Sequence, residues 1–408
     1  MIEVTIILFI YLFAKLALDT LQIYTIKHSE IDAKSMQLLD ISEENDKKSR
    51  EYNISKLHLS IIKNIFYVGH IYTLLLAGLF KYINESLNTY DLSLYLIDLS
   101  SILITYLIVY ISMLPFSFYS NFVIESRYDF NTSTKLLFFK DNLISLLLTL
   151  IVVSLLSLVF FYIVSFQNLW WLLMSLAMFS VIIISMFIYP TYISPIFNKF
   201  KKLQNENIKD EIKDLSERTD FSIENLFVMD RSKRSKHPNA YFTGFSKNRR
   251  IVFYDTLIDL LSPKEIKAVL AHEIGHYKHN HITKSLVIST FTIFIGMFLI
   301  SQLVNNSNYL EILNLNNSAS SQLIALFFTY QIISFFTDPF FSTLSRTNEY
   351  EADMFASKQV QKEHLISSLV KLYKSNLSFL IPNKFYAIFY FSHPTVLERI
   401  NNLRSNNE

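Results

Sequence analysis

The sequence predicts a mainly α, polytopic membrane protein: seven transmembrane helices, with a segment outside the bilayer that includes a small β-sheet. Three observations predict it, namely the bulk composition, the length of the apolar runs and the alternation of basic residues between them. Of 408 residues, 51% are hydrophobic and only 18% charged, a bias that places the chain outside the usual soluble classes. A hydrocarbon layer about 30 Å thick takes ~20 mostly apolar residues per helix. Seven stretches meet that length, at roughly 4–26, 61–83, 94–116, 143–166, 169–193, 285–304 and 319–341. The first holds Lys15 and Asp19 and lacks a basic start and a small-residue cleavage site, so it reads as a retained span, not a signal peptide.

Short connections rich in Lys and Arg stay on the cytoplasmic side. The connection after the first span has six (Lys27, Lys34, Lys47, Lys48, Arg50, Lys56), the next none, the third three (Arg127, Lys135, Lys140) and the following tight turn none. Segment 194–284 has seventeen, 305–318 none and the tail eight. The alternation puts the N-terminus outside or in a lumen and the long segment and tail in the cytosol. Four parts follow: helices one to five in 1–193, a catalytic segment in 194–284, helices six and seven in 285–341, and a completing tail in 342–408. Trp170 and Trp171 are expected as an interfacial anchor. Lys15, Asp19, Lys63, His70 and Asp98 lie inside spans, where charge is costly. Either Lys15 and Asp19 pair at i,i+4 while Lys63 snorkels, or these residues face a polar interior.

The formal charge of +2 gives no reason to expect nucleic-acid binding. With no cysteine, disulfides, thiol catalysis and Cys-ligated metals are excluded, so a metal would need His and carboxylate ligands. Five glycines argue against a Gly-rich nucleotide loop.

Ser262-Pro263-Lys264-Glu265 marks a helix start, with Ser as cap, Pro at the first position and Glu three residues after the cap. Ile266, Val269, Leu270 and Ile274 recur at helical spacing along it. The helix carries His272-Glu273-Ile274-Gly275-His276, whose two imidazoles share a face and can grip one metal ion while Glu273 takes a proton from water. This is the zinc-protease pentad; the bland alternative is a surface helix of solvated histidines, since His279 and His281 follow. The metzincin extension is absent, with His279 and Ile282 where Gly and His would stand.

The third ligand must come from elsewhere. After the seventh span, Ser345 to Asp353 reads as the start of another helix, with Glu349 and Asp353 on one face. The basic-residue map places it on the same side as His272, which favours Glu349 as ligand over Glu351; an acidic first turn favoured by the helix dipole would also account for these acids. Asp353 is placed to orient a ligand imidazole and Arg399 to hold Asp353. Asn225–Met229, Ala240–Phe245 and Arg250–Phe253 have strand composition, and an extended peptide could add along Asn239–Phe242. Arg231, Lys233, Arg234, Lys236, Arg249 and Arg250 read either as a solvated, membrane-facing basic surface or as a site capturing a substrate's C-terminal carboxylate.

With these residues assembled, the sequence resembles the type I CAAX prenyl proteases, integral-membrane zinc metallopeptidases of the endoplasmic reticulum and inner nuclear membrane. The resemblance rests on Lys48-Ser49-Arg50-Glu51-Tyr52, Leu114-Pro115-Phe116-Ser117, Phe122-Val123-Ile124-Glu125, Phe130-Asn131, Tyr189-Pro190, Ile193 to Phe197, and Asn239 to Phe242. It continues through the pentad with His281, Glu349 to Asp353, and Ser392-His393-Pro394 with Leu397-Glu398-Arg399. It implies a seven-helix barrel around a water-filled chamber, one Zn2+ held by His272, His276 and Glu349, and Glu273 as general base. Asn239 and His393 would bind peptide or oxyanion, with Asp353 and Arg399 as a supporting pair. The implied activity removes the last three residues from prenylated CAAX proteins, in some members with a second upstream cut, in contact with membrane lipids. His279 matches no assigned family feature.

Two rivals are weighed against this reading. A membrane quality-control zinc protease shares the pentad but usually has fewer spans. A non-catalytic transporter or scaffold with a vestigial metal site would lose nothing on Glu273→Gln.

Overall fold

The computed structural model describes residues 2–243 and 250–405. Its first apolar run forms α1 (Ile2–His28). Ser42 caps α2 (Glu43–Leu75), its hydroxyl accepting from Asn45 N at 3.2 Å, with Glu43, Glu44 and Asp46 in the dipole-favoured first turn. The run at 61–83 is not one straight helix as its composition suggests. It breaks after Leu75, and α3 (Leu79–Leu87) leaves at 45°. Gly78 at the break has φ +76°, and Asn314 Nδ2 donates to Leu75 O at 3.2 Å. A Cβ at position 78 would lie 3.1 Å from that nitrogen, so the bend is fixed by backbone freedom and a distant cap.

The remaining spans are α4 (Leu94–Tyr119), extended by a π-helical turn at Ser120–Glu125, α5 (Lys135–Val164) and α6 (Trp170–Ile188), extended by a second π-turn at Tyr189–Ile193. Trp170, expected with Trp171 as an interfacial anchor, faces protein and not the outside of the bundle. It is buried, donating Nε1–H to Asn305 Oδ1 at 2.8 Å and packing edge-on to Phe160.

The chain then leaves the apolar layer. Strand β1 (Phe200–Lys202), which the sequence had not revealed, precedes α7 (Glu206–Thr219) and strands β2 (Leu226–Met229), β3 (Ala240–Thr243) and β4 (Arg250–Tyr254). The sheet order is β1-β2-β4-β3, with β2 and β4 parallel and the other pairs antiparallel. Phe245, expected at the end of β3, lies outside the described residues. Next come α8 (Pro263–Lys278), α9 (His281–Val304), α10 (Ala319–Gln359), α11 (Lys362–Ser375), α12 (Lys384–Tyr390) and α13 (Val396–Ser405). Residues 345–353 do not begin a new helix. They continue the seventh span within one 41-residue helix, so Glu349 sits far from any helix N-terminus and the dipole account of its charge is removed.

Among the described residues, six helices are long and apolar enough to cross a membrane, or seven when the bent α2–α3 pair counts as one. Neighbouring spans touch in sequence order, α1 on α2, α2 on α4, α4 on α5, α5 on α6, α6 on α9 and α9 on α10. Tyr11 and Phe335, edge to face at 5.3 Å, close the ring between α1 and α10. Helix α10 also packs against α4 and α5. Inside the spans, Asp19 accepts from Ser60 Oγ at 2.9 Å and Asn64 Nδ2 at 3.3 Å, while Lys15 donates to the Tyr11 hydroxyl at 3.1 Å. Hydrogen bonds from α2 to Asp19, and one within α1 from Lys15, thus offset the cost of burying these groups.

The extramembrane core is separate. Ile208, Ile212 and Leu215 of α7, Leu226, Ile251 and Phe253 of the sheet, and Ile266, Val269, Leu270 and Ile274 of α8 pack together with almost no exposure. The apolar stripe read from α8 is therefore the face that glues the helix to the sheet, which leaves its other face for chemistry.

Candidate active site

The helix that carries the pentad starts as its sequence dictates. Ser262 N and Oγ both donate to Glu265 Oε2, at 2.8 and 2.9 Å, completing a capping box with Pro263 in the first turn. This fixes the rotation of α8 and so the direction of His272, Glu273 and His276. Helix α10 packs directly across α8 and brings in Glu349 and Asp353; the four buried residues His272, Gly275, Glu349 and Ala352 lie at that contact.

Three donor atoms converge. His272 Nε2 and His276 Nε2 are 3.2 Å apart, His276 Nε2 is 3.2 Å from Glu349 Oε1, and His272 Nε2 is 3.4 Å from Glu349 Oε2. Ligands about 2.0–2.1 Å from a tetrahedral metal stand roughly 3.3 Å from each other, so these separations are the edges of such a site. The Glu349 Oε2 atom is buried and makes no well-formed hydrogen bond among the described residues, its nearest cationic neighbours, His272 Nε2 and Arg399 Nη1, both standing at 3.4 Å, which leaves it a lone pair for a cation. Two imidazoles and a carboxylate are also the donors of a catalytic metal site with an open fourth position. The residues present therefore fit a metal.

Without the ion the cluster holds opposite charges. Burial alone would lower the His272 pKa, but hydrogen bonds to Asp353 and Glu349 raise it to about 9. Burial alone would raise Glu349; the hydrogen bonds from His272 and His276 carry it well below the usual carboxylate range.

The surroundings orient both imidazoles. His272 Nδ1 lies 2.9 Å from Asp353 Oδ1, and Asp353 in turn receives Arg399 Nε at 2.8 Å and Nη2 at 2.6 Å in a forked pair. Asp353 is fully buried, so this guanidinium is what makes its charge tolerable. Arg399 Nη1 also stands 3.4 Å from Glu349 Oε2. His276 has a counterpart that sequence reasoning missed: its Nδ1 is 2.8 Å from Nδ1 of buried His281, whose Nε2 is 3.0 Å from Glu351 Oε2. Glu351, weighed as a ligand, faces away from the donor triangle and anchors this second relay.

Around the donors lies a cavity of about 760 Å³, lined in part by Asn239, Tyr241, Phe242, Glu273 and His393. His393 Nε2 is 3.4 Å from Glu349 Oε1. Asn239 is exposed, its side chain accepting from Ala240 N at 2.9 Å. The strand beside it, β3, is an edge of the sheet, so its outer face and the cavity adjoin. All eight residues singled out in the sequence therefore meet at one place.

The basic cluster is only partly tied down, since Lys233 and Lys236 are exposed. Arg234 forks onto Asp141 of α5 at 2.7 and 3.0 Å, Lys233 pairs with Asp230, Lys236 N donates to Phe130 O at 2.9 Å, and Arg250 lies 5.3 Å over the Phe227 ring. Arg249 lies outside the described residues. The Arg234 and Lys236 contacts dock the sheet domain onto the spans, and the motifs quoted before the second span and after the third take part. Tyr52 donates to Glu125 Oε1 at 2.8 Å, Glu125 Oε2 meets His237 Nε2 at 3.1 Å, and His237 Nδ1 meets Asn376 Oδ1 at 2.7 Å. Ser49 donates to the carbonyls of Leu377 and Ser378.

A ring of membrane helices capped by a buried two-His, one-Glu pocket with an adjacent Glu defines the class of membrane-embedded metallopeptidases. Residues 202–407 match peptidase family M48, and residues 24–199 match the CAAX prenyl protease N-terminal family of five membrane helices. The chain belongs to the CAAX prenyl protease branch of that peptidase family. It is 32% identical over 398 residues to CAAX prenyl protease 1 of Saccharomyces cerevisiae, covering 88% of this chain and 86% of that one. It is 33% identical over 384 residues to the CAAX prenyl protease 1 homolog of Dictyostelium discoideum, covering 89% and 87%. The crystal structure of S. mikatae Ste24p superposes with a TM-score of 0.89 at 29% identity, covering 98% of each chain.

Proposed function

We propose that this membrane metallopeptidase is a zinc endopeptidase that removes the C-terminal tripeptide from prenylated CAAX proteins. The observation that carries the reading is the triangle of His272 Nε2, His276 Nε2 and a Glu349 carboxylate oxygen at 3.2–3.4 Å, beside Glu273 in a cavity edged by a strand. The relatives' names supply the substrate class.

His272, His276 and Glu349 would hold the ion. Bound there, zinc supplies Lewis-acid polarisation of the scissile carbonyl and acidifies the attacking water. Glu273 accepts the water proton and hands it to the leaving amine. Asn239 and His393, on the cavity wall, donate to the peptide or to the oxygen that gains charge in the transition state. Substrate backbone pairs with the outer edge of β3, an interaction that fixes register without demanding particular side chains. Asp353 accepts from His272 Nδ1 and keeps Nε2 aimed at the donor triangle, while Arg399 neutralises Asp353.

A prenyl chain contributes about 0.8 kcal/mol per buried methylene toward membrane attachment, which favours an enzyme sharing the bilayer with its substrate. Endoplasmic-reticulum residence is part of this reading and rests on the family resemblance; the basic-residue alternation supports a site facing the cytosol. The test is purified protein with a farnesylated CAAX peptide, with and without chelator, the tripeptide read by mass spectrometry. Release that stops with chelator and with Glu273→Gln is expected; release indifferent to both defeats the mechanism, and no release from a zinc-loaded protein defeats the substrate assignment.

A further inference from the structure

Beside the donor triangle stands a second group of metal-ligand side chains, His279, His281 and Glu351, whose ligating atoms lie within 4.8 Å of one another. Local backbone builds it. Lys278 ends α8, Asn280 adopts φ +55°, and α9 begins at His281, so the left-handed residue turns both imidazoles to one side. Their rings are stacked at 18° with centroids 5.6 Å apart. Glu351, two residues beyond Glu349 on α10, brings Oε2 to 3.0 Å from His281 Nε2 and 3.8 Å from His279 Nδ1. Lys284 Nζ stands 3.4 Å from the same oxygen, so the spot already attracts positive charge.

We propose that His279, His281 and Glu351 form a second divalent-cation site, and that filling it opposes metal binding at His272, His276 and Glu349. The donor set suits zinc, two imidazoles and a carboxylate with open positions left for water. Closing the present separations to roughly 3.3 Å needs only side-chain rotation, because His279 and Glu351 are 41% and 38% exposed. Lys284, half exposed, swings out as the ion enters.

The opposition comes from proton placement. A neutral imidazole has one N–H and one lone pair. When His276 gives its Nε2 lone pair to a metal, its Nδ1 carries the hydrogen and donates across 2.8 Å to His281 Nδ1, and His281 Nε2–H donates to Glu351. A cation on His281 Nε2 moves that hydrogen to His281 Nδ1. Two N–H groups then face each other at the same contact, and the His276 ligand loses its acceptor. The second ion therefore weakens the first.

This coupling rests on the metallopeptidase reading; the existence of the second site does not. The experiment counts zinc bound to the purified full chain by equilibrium dialysis as free zinc rises, alongside peptide cleavage. Wild type is expected to bind two ions, the second more weakly, and to lose activity as the second fills. His279→Ala should bind one ion with unchanged basal cleavage, its inhibition midpoint moved at least tenfold upward. Lys284→Ala should move the second-ion affinity the other way, several-fold tighter. One ion per wild-type chain at every zinc concentration overturns the site. Two ions with cleavage unaffected by the second, or identical inhibition of wild type and His279→Ala, overturns the coupling. If no peptide is cleaved at all, the function falls while the metal count still decides the second site.

Discussion

Gly275 lies against the backbone of Ala352 where α8 crosses α10. A Cβ at position 275 would stand 3.0 Å from both Ala352 Cα and Ala352 O, and 3.3 Å from Phe355 Cβ. Backbone cannot yield as a side-chain end can, so a methyl group here pushes the helices apart, and α10 carries Glu349. Exposed Gly→Ala in a helix gains up to about 1 kcal/mol; overpacking costs about 1–3 kcal/mol, and here it should win. Gly275→Ala is expected to lower the melting temperature and to cut zinc content in the purified protein. A variant that melts higher and keeps its zinc would show that the two helices have room to spare.

The forked Arg399–Asp353 pair orients His272 through Nδ1, the ring nitrogen that does not face the donor triangle. Asp353→Asn keeps the shape and removes the charge, leaving buried Arg399 with the Glu349 carboxylate at 3.4 Å as its remaining ion-pair partner. Loss of such an orienting carboxylate typically costs 10–100-fold in metal affinity. Competition with a chromophoric chelator should read a loss in that range, with cleavage at saturating zinc recovering only in part. Unchanged affinity would mean that Nδ1 of His272 is adequately held by other groups.

What the sequence disclosed was mostly local. The cap at Ser262, the pentad, the apolar stripe of α8 and three of four strands are patterns within about fifteen residues, and each folds as its own chemistry asks. Glu349, Asp353 and Arg399 came from motif logic and family resemblance together. Hidden from it were contacts made between distant stretches: Asn314 capping the break at Leu75, Trp170 reaching Asn305, and Arg234 reaching Asp141. No periodicity marks such pairs. The continuity of α10 was hidden for another reason, since a polar helix outside the membrane and an apolar one inside it differ in composition even when their backbone is uninterrupted.

Glu125 ties the spans to the catalytic domain through Tyr52 on one side and His237 on the other. Removing the carboxylate shared by buried Tyr52 and partly exposed His237 leaves the Tyr52 hydroxyl without its acceptor, at about 1–3 kcal/mol, with a smaller loss at His237. Glu125→Ala should therefore destabilise the protein by more than Tyr52→Phe does. The double variant should cost clearly less than the sum, since Glu125→Ala has already broken the Tyr52 bond. Thermal unfolding of the three purified variants in one detergent measures this; strict additivity would show that the two side chains do not share a bond in the folded protein.

Glu265 gives a stability signature that depends on pH. Its side chain is almost fully buried and accepts from Ser262, from Ser367 Oγ at 2.6 Å and from Lys371 Nζ at 2.7 Å. Burial alone would raise its pKa from the ordinary 4.5, but Lys371 and the serine donors carry it down to about 2. A group that is more acidic folded than unfolded stabilises the fold fully above its unfolded pKa and loses that contribution as pH falls toward its folded one. The window here is about pH 4.5 down to about 2, and the contribution is at most about 3 kcal/mol at 1.36 kcal/mol per pKa unit. Glu265→Gln should melt below wild type at pH 7 and pH 5, with the gap shrinking as the pH is lowered through 4 and 3. A gap that stays constant over that range would assign the cost to lost packing and cap geometry, and not to the charge that Lys371 and the α8 cap hold in place.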